Sequence, residues 1–541
     1  MKCRQVKGWI GLMMAAMMAV TGCGSKNTAE VPSDSVTFET VVESESSSEL
    51  TEKLDYVKLK GVAIGDPTEA SDVFLTRLNE MLLRDLNCEL EIEYISWSGW
   101  RDKYPLVFAS GEAFDFIYTS NWAFYADQAI KGAFYELTEE DLRTYMPKTW
   151  EAVGERWGQT KIDGKIYMVP QSYSGVEDST CFGVRGDLME EAGLDDITSA
   201  EDMEVYLDYV VANHPELNVI NITSQGNGLW GVYMAKSMLA EDDEYPSVNN
   251  EYQIGIAGGF GVNALAIMDY SDTSAIKWVD EETADAYNLK IYNKCKEMQQ
   301  KGYWSDDCLS STTNIEEYYQ AGNGATVLRQ LGNIATYNNE LLKVRPDSDP
   351  RIVRLVDCPM YAAPVINNGI GIHATTEQPE RVMMVLEKLG YDQEYYDLMK
   401  YGIEGIHYTL DNEGKIITID NPEYQWNSPI SMGITTICNR ETVYEEITNT
   451  ISDQMELEEY AKENSITPLM ATFNFDNSSV ITEYASVAAV NSQYFPVLST
   501  GVADDVEATY YEWKAALESA GVDVVLEEYL RQAQEYLNSL Q

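Results

Sequence analysis

Cys23 is the first residue of this 541-residue chain whose type and setting could do chemistry. It follows an uncharged apolar run, Trp9 to Val20 (WIGLMMAAMMAV), and its neighbours Gly22, Gly24 and Ser25 are small. A thiol is a nucleophile, and small flanking residues leave the adjoining peptide bond open to a peptidase. A second set is aromatic and polar: Asp66, Trp97, Trp100, Asn121 and Trp122. Rings of this kind cover flat apolar faces of a solute, while carboxylates and amides meet its polar rim. Other chemistries lack their residues. His214, His373 and His407 have no G-x-S-x-G company, and the cysteines form no C-x-x-C pair. Gly258-Gly259-Phe260-Gly261 lacks the lysine and helix start of a phosphate cradle and reads as a structural turn. Glu241 to Glu244 (EDDE) reads as a solvated acidic loop rather than a calcium site. With 89 acids present, some carboxylate pair falls at glycosidase spacing by chance, so counting pairs decides nothing.

The elements that must position the second set can be read from periodicity. Val57, Leu59, Val62 and Ile64 fit a strand broken by Gly65-Asp66-Pro67. Ser71 is placed to cap a helix with Phe74, Leu78, Met81, Leu82 and Leu86 on one face. Leu90, Ile92 and Tyr94 mark a second strand, and Trp97 to Trp100 a turn into a helix ended by Ser110-Gly111. Phe114 to Tyr118 (FDFIY) is a third strand, running into Ser120-Asn121-Trp122 and another helix. The order β-α-β-α-β-α predicts a parallel sheet covered on both faces. Ligands of such sheets bind beyond the strand carboxyl ends, where Asp66, Trp97, Trp100, Asn121 and Trp122 all fall. Two readings stand for each: Trp97 and Trp100 pack in the core or face a ligand, and Asp66 caps a turn or binds. Further on, Cys181 to Arg185, Gly324 to Gln330 and Ile366 to His373 read as strands, with helices near 200–213 and 282–301. Leu526, Leu530, Ala533, Leu537 and Leu540 form an apolar seam for core packing in a C-terminal helical segment.

Charge and composition narrow the setting. Lys2, Arg4 and Lys7 precede the apolar run, which has signal-peptide length and is shorter than the about 20 residues a membrane span needs. Removing residues 1–22 leaves 519 and takes the formal charge from -52 to -55, because three cations and no acids depart. Such a body excludes nucleic-acid binding, which needs cations at the phosphates. Residues 23–55, with Glu43 to Glu49 (ESESSSE), are too polar to bury a core and read as a disordered tether. Cys88, Cys181, Cys295, Cys308, Cys358 and Cys438 are either disulfide-bonded or buried free thiols.

Several stretches resemble one family, the lipid-anchored solute-binding proteins that feed bacterial ABC importers. Val20-Thr21-Gly22-Cys23 is similar to a lipoprotein box, which implies cleavage before Cys23, a diacylglyceryl group on its thiol and a palmitate-bearing N-terminus. Trp100 to Glu112 (WRDKYPLVFASGE), Phe182 to Gly193 (FGVRGDLMEEAG), Gly369 to Arg381 (GIGIHATTEQPER) and Tyr401 to Tyr408 (YGIEGIHY) carry the rest, in family order. The last is similar to a motif of a subgroup with a C-terminal domain of unknown function.

The resemblance implies an α/β, two-lobed, periplasmic-binding-protein-like (type II) fold, each lobe a mainly parallel sheet flanked by helices, with extra C-terminal helices. Lobe 1 is expected from 56–175 plus 326–376 and lobe 2 from 176–325 plus 377–541. It further implies a carbohydrate, most simply an oligosaccharide, in the interlobe cleft and delivery to permease subunits. The expected monomer sits at the outer face of the cell membrane, with no catalysis, cofactor or metal. From residue type, strand-end placement and the resemblance together, the expected ligand-binding residues are Asp66, Trp97, Asn121, Trp122, Tyr173, Trp230, Tyr233, Arg329 and Trp426. Some relatives carry an aromatic where Arg329 stands, and an arginine in so acidic a chain can equally pair with an acid. A surface glycan-degrading enzyme and a non-transport adhesin or sensor are the competing readings.

Overall fold

The computed structural model describes residues 54–541 apart from 68–69, 97–98, 171–179, 223–228, 240–265, 269–275, 279–280, 312–314, 356–359, 362–363, 420–437, 439, 445–446, 467–472, 474 and 540–541. The leader, Cys23, the tether through Lys53 and the 241–244 loop lie outside the described residues. Two hydrophobic cores organise the rest, one for each of two lobes.

The first lobe is built as the periodicity predicts. Strand β1 (Val57–Ile64), helix α1 (Ser71–Leu86), β2 (Cys88–Ile95), α2 (Trp100–Ser110), β3 (Phe116–Thr119) and α3 (Tyr125–Ile130) follow one another. The strands β2-β1-β3 pair in parallel, with Val57 opposite Cys88 and Gly61 opposite Phe116. Helix α1 buries Phe74, Leu78, Met81, Leu82 and Leu86 as expected, but Ser71 is its first residue, and the cap is Ala70 with no side-chain bond. Two later strands complete the sheet, β4 (Val169–Pro170) and β9 (Gly369–Ile372), the latter antiparallel to both β3 and β4. Gly371 of β9 must be glycine because a Cβ there would overlap the Phe134 ring.

The second sheet has the order β8-β5-β7-β6, from Pro350–Val353, Thr180–Arg185, Gly324–Gln330 and Asn218–Ile220 respectively. Here β5 runs antiparallel to both its neighbours and only β7 and β6 are parallel, so this sheet is mixed rather than mainly parallel. One face packs on helices α4 (Ala200–Asn213), α5 (Leu229–Leu239) and α6 (Glu281–Gln300), through Leu207, Val210, Met234 and Ile291. The other face, with Cys181, Val327 and Ile352, lies against Ile334 and Leu341 of α7 (Leu331–Val344). Arg351 of β8 binds Asp453 of α10 (Asn449–Asn464) through two hydrogen bonds, Nε to Oδ2 at 2.8 Å and Nη2 to Oδ1 at 2.9 Å.

The lobe boundaries therefore differ from the expected ones. Residues 326–353 belong to the second sheet, because the strand at 324–330 makes its backbone pairs with β5 and β6. Helices α8 (Pro379–Tyr391) and α9 (Gln393–Tyr401) belong to the first lobe, where Val382, Met383, Leu386, Tyr395 and Met399 join its core. Buried Arg381 fastens α8 there, its Nη1 donating to the carbonyls of Leu86 at 2.6 Å, Asp55 at 3.2 Å and Asn87 at 3.3 Å.

The C-terminal helices α11 (Ile481–Ser499), α12 (Val506–Ser519) and α13 (Val522–Ser539) return to the second core. The buried seam of α13 is Val522, Val525, Tyr529, Ala533 and Leu537; Leu526 packs only partly, and Leu540 lies outside the described residues. Cys88, Cys181, Cys295 and Cys308 are buried free thiols, and Cys438 is a half-buried one; Cys358 is outside the described residues. Burial pushes the Cys88 thiol up to about 11, which keeps it protonated and unreactive. No helix among the described residues is long and apolar enough to cross a membrane.

The YGIEGIHY stretch is a folded turn. Gly402 and Gly405 take φ of 93° and 81°, and the Ile403 N–H donates to His407 Nδ1 at 2.9 Å. His373, at the end of β9, lies 4.3 Å from the Phe114 ring. Burial lowers the pKa of both imidazoles; a weaker attraction to Asp115 opposes it at His373. The unfolded chain therefore binds protons at these sites before the folded chain does, and stability falls as pH drops below about 6.5. Thermal unfolding is expected at lower temperature at pH 5.5 than at pH 7.5, and H373Q/H407Q should flatten that slope. An unchanged slope in the double variant would refute the assignment.

Candidate binding site

The carboxyl end of the first sheet carries a platform of rings. It begins with a tight turn after β3. The Ala123 and Tyr125 N–H groups both donate to the Ser120 carbonyl at 3.0 Å, and Thr119 Oγ1 donates to the Ala123 carbonyl at 3.0 Å. The turn forces Phe124 to φ of 60°, a left-handed conformation a non-glycine residue holds only when its surroundings fix it. Those surroundings are aromatic: Tyr104 stacks on Phe124 at 5.5 Å, and Trp100 meets it edge-on at 5.9 Å. Tyr104 Oη in turn donates to the Tyr118 carbonyl at 2.9 Å.

Trp122 sits on top of this stack. Its ring meets Trp100 edge-to-face at 5.4 Å and tilts against Tyr118 at 5.8 Å. Its Nε1–H donates to the Asn367 carbonyl at 2.9 Å. The indole is thus fixed at both ends and still 40% exposed. The neighbouring strand supplies amides. Because Gly369 lies opposite Thr119, Asn367 and Asn368 arrive at the carboxyl end of β3. The Asn121 N–H donates to the Ile366 carbonyl at 2.9 Å, the Val365 N–H to Gln159 Oε1 at 2.9 Å, and Tyr118 Oη to Asn368 Oδ1.

Among the sequence-predicted residues, Asn121 and Trp122 stand together here, both exposed. Asp66 is exposed on the loop after β1, the strand beside β3, and the Gly65 N–H donates to the Ile95 carbonyl at 2.9 Å. Trp100 takes its packing alternative, buried beneath Trp122. Arg329 takes its ion-pair alternative: it is buried in β7, with Nε donating to Glu316 Oε1 at 2.6 Å and Nη1 to the Leu328 carbonyl at 2.7 Å. Tyr233 is half-buried on α5 against the second core. Trp97, Tyr173, Trp426 and the side chain of Trp230 lie outside the described residues.

Sequence reasoning missed Tyr118, Asn367, Asn368 and the cation Arg101, whose Cζ lies 4.7 Å over the Trp100 ring. The signal for the asparagines was their place just before a strand with a G-x-G pattern; what it lacked was the strand's partner. Two buried polar atoms have no hydrogen-bond partner among the described residues at strand carboxyl ends. They are Ser120 Oγ, after β3, and Asn221 Nδ2, after β6. Such atoms are costly unless water or a ligand meets them. Among the described residues, no group of three or more His, Cys, Asp and Glu is placed to hold a metal ion.

Residues 469–538 match the model of a domain of unknown function, DUF3502. A protein of Streptococcus pneumoniae serotype 4 (strain ATCC BAA-334 / TIGR4), described as a carbohydrate ABC transporter substrate-binding protein, is 24% identical over 510 residues. The match covers 91% of this chain and 94% of that protein. The N-glycan transport solute-binding protein NgtS from Streptococcus pneumoniae superposes with a TM-score of 0.67 at 20% identity, covering 90% of this chain and 100% of that one. The alginate-binding protein AlgQ2 superposes with a TM-score of 0.60 at 15% identity, covering 88% and 97%. At these identities the superpositions establish the fold alone. In fold the chain is a two-lobed solute-binding protein, and along 91% of its length it is similar to a substrate-binding protein of a carbohydrate ABC transporter.

Proposed function

We propose that this protein captures an oligosaccharide on the Trp122 platform, between its two lobes, and hands it to the permease of an ABC importer without covalent chemistry. The observation that carries the reading is Trp122 itself, a half-exposed indole held by Trp100 and by the Asn367 carbonyl, with the Asn121 amide beside it. A sugar presents C–H faces and hydroxyl rims, and a pre-positioned ring flanked by amides meets both at low ordering cost. Ser120 Oγ and Asn221 Nδ2, without a hydrogen-bond partner among the described residues, support capture from both lobes, since a hydroxylated solute offers such atoms partners. Similar proteins point the same way: NgtS has been crystallised with Man1GlcNAc and with Man5GlcNAc. In this reading residues 1–22 are removed as a signal peptide and lipid on Cys23 holds the monomer at the outer face of the membrane.

The experiment is retention. The purified full chain is exposed to mixed oligosaccharides and mixed oligopeptides, washed, denatured, and its retained solutes identified by mass spectrometry. Retained oligosaccharides are expected. Retained peptides with no sugar would overturn the reading, as would cleaved oligosaccharide products in the flow-through.

A further inference from the structure

Arg101 stands out among the charged residues of the described chain. The chain has 89 acids for 37 bases, and Arg84, Arg185, Arg329, Arg351 and Arg440 each face a carboxylate. Among the described residues Arg101 makes no hydrogen bond or ion pair to a carboxylate or carbonyl; it is exposed, and its guanidinium lies over the Trp100 ring at 4.7 Å. Trp100 in turn meets Trp122 at 5.4 Å, so one ring separates this cation from the proposed sugar platform. It also sits in the first turn of α2, which has no side-chain cap at Gly99, so the helix end adds positive potential of the same sign. Desolvation draws its pKa below the ordinary arginine value, and no acid offsets the loss. When a ligand covers the platform it removes more water from this charge. A neutral ligand leaves that cost uncompensated, whereas a carboxylate forms a charge-assisted, two-bond pair with the fork.

We propose that Arg101 is a specificity-determining contact of this site and that the oligosaccharides it selects carry a carboxylate. The inference rests on the capture of oligosaccharides proposed above. The protein's negative field slows the approach of an anionic ligand, but distant charges are screened beyond about 8 Å at physiological ionic strength, so the local pair sets selectivity. Asp66, exposed on the loop after the adjacent strand β1, would oppose a carboxylate placed beside it.

The test uses the full chain and a pool made by partial hydrolysis of neutral and uronate-bearing polysaccharides. Retained species are identified by mass spectrometry and then titrated beside their carboxyl-reduced counterparts. The expected result is retention of uronate-bearing species, with reduction of the carboxyl weakening binding about tenfold or more. R101Q should lose the same factor for the acid form and little for the reduced form, and R101K should recover part of it. Preferential retention of neutral species would overturn the proposal, as would R101Q binding both forms like the parent chain. Retention of no saccharide at all would instead fail the capture reading itself.

Discussion

A chain that stops at Val480 is expected to lose its folded second lobe. Helices α11, α12 and α13 complete the core that the second sheet begins, and Phe495, Leu498, Tyr510, Trp513, Val525 and Leu537 are buried in the same cluster as Phe182, Leu207 and Ile291. At about 1.5–3 kcal/mol for each buried side chain, these six alone rival the about 5–15 kcal/mol that holds a typical domain together. Polar bonds fasten the same surfaces. Trp304 Nε1 donates to the Thr500 carbonyl at 2.9 Å, Trp513 Nε1 to Asn491 Oδ1 at 3.1 Å, and Lys514 Nζ lies 2.7 Å from Asp285 Oδ2. The region matching the DUF3502 model is thus a wall of the second lobe. Limited proteolysis and thermal unfolding check this: the truncated chain should be cut throughout the second lobe while the first resists. The milder W513A should cost about 3–5 kcal/mol. A truncated chain whose second lobe still unfolds cooperatively would mean the helices are an appendage.

The second large effect is expected at Trp122. W122A should weaken oligosaccharide binding by about 30-fold or more, the about 2 kcal/mol or greater that a central aromatic anchor supplies. Its unfolding temperature should barely move, because the ring is exposed and the core beneath it is Trp100. W122F should fall between, keeping a flat face but losing the Nε1–H bond to Asn367 that fixes the ring's direction. Titration of both variants beside the parent chain, with thermal melts as the folding control, separates loss of contact from loss of structure. Unchanged affinity in W122A would remove the platform from the account.

Much of the first lobe could be read from residue spacing because its contacts are near in sequence. The apolar face of α1 and the strands on either side of it follow from periods of 3.6 and 2 within forty residues. What depends on distant returns could not be read that way. Residues 324–330 are recognisable as a strand, yet nothing local says that they pair with 180–185 rather than with the first sheet. The helix at 379–391 is recognisable, yet only its packing into the first core and the bonds of Arg381 to the end of α1 show which lobe it covers. The site divides along the same line. Asn121 and Trp122 follow from the rule that ligands meet strand ends, but spacing alone does not say that Trp100 lies underneath and Trp122 on top. Arg329 carries the chemistry of a ligand contact, and a short helix, Ile315–Gln320, brings Glu316 from thirteen residues upstream to neutralise it. Asn367 and Asn368 become visible as site residues only when β9 is laid antiparallel to β3.

Isothermal titration of the intact folded chain against a panel of oligosaccharides, with oligopeptides as the contrasting class, tests the central claim most directly. Saturable heat from at least one oligosaccharide, reduced in W122A and absent with peptides, is the result predicted. Silence across the sugars with heat from the peptides, or sugar binding to which Trp122 is indifferent, would contradict it.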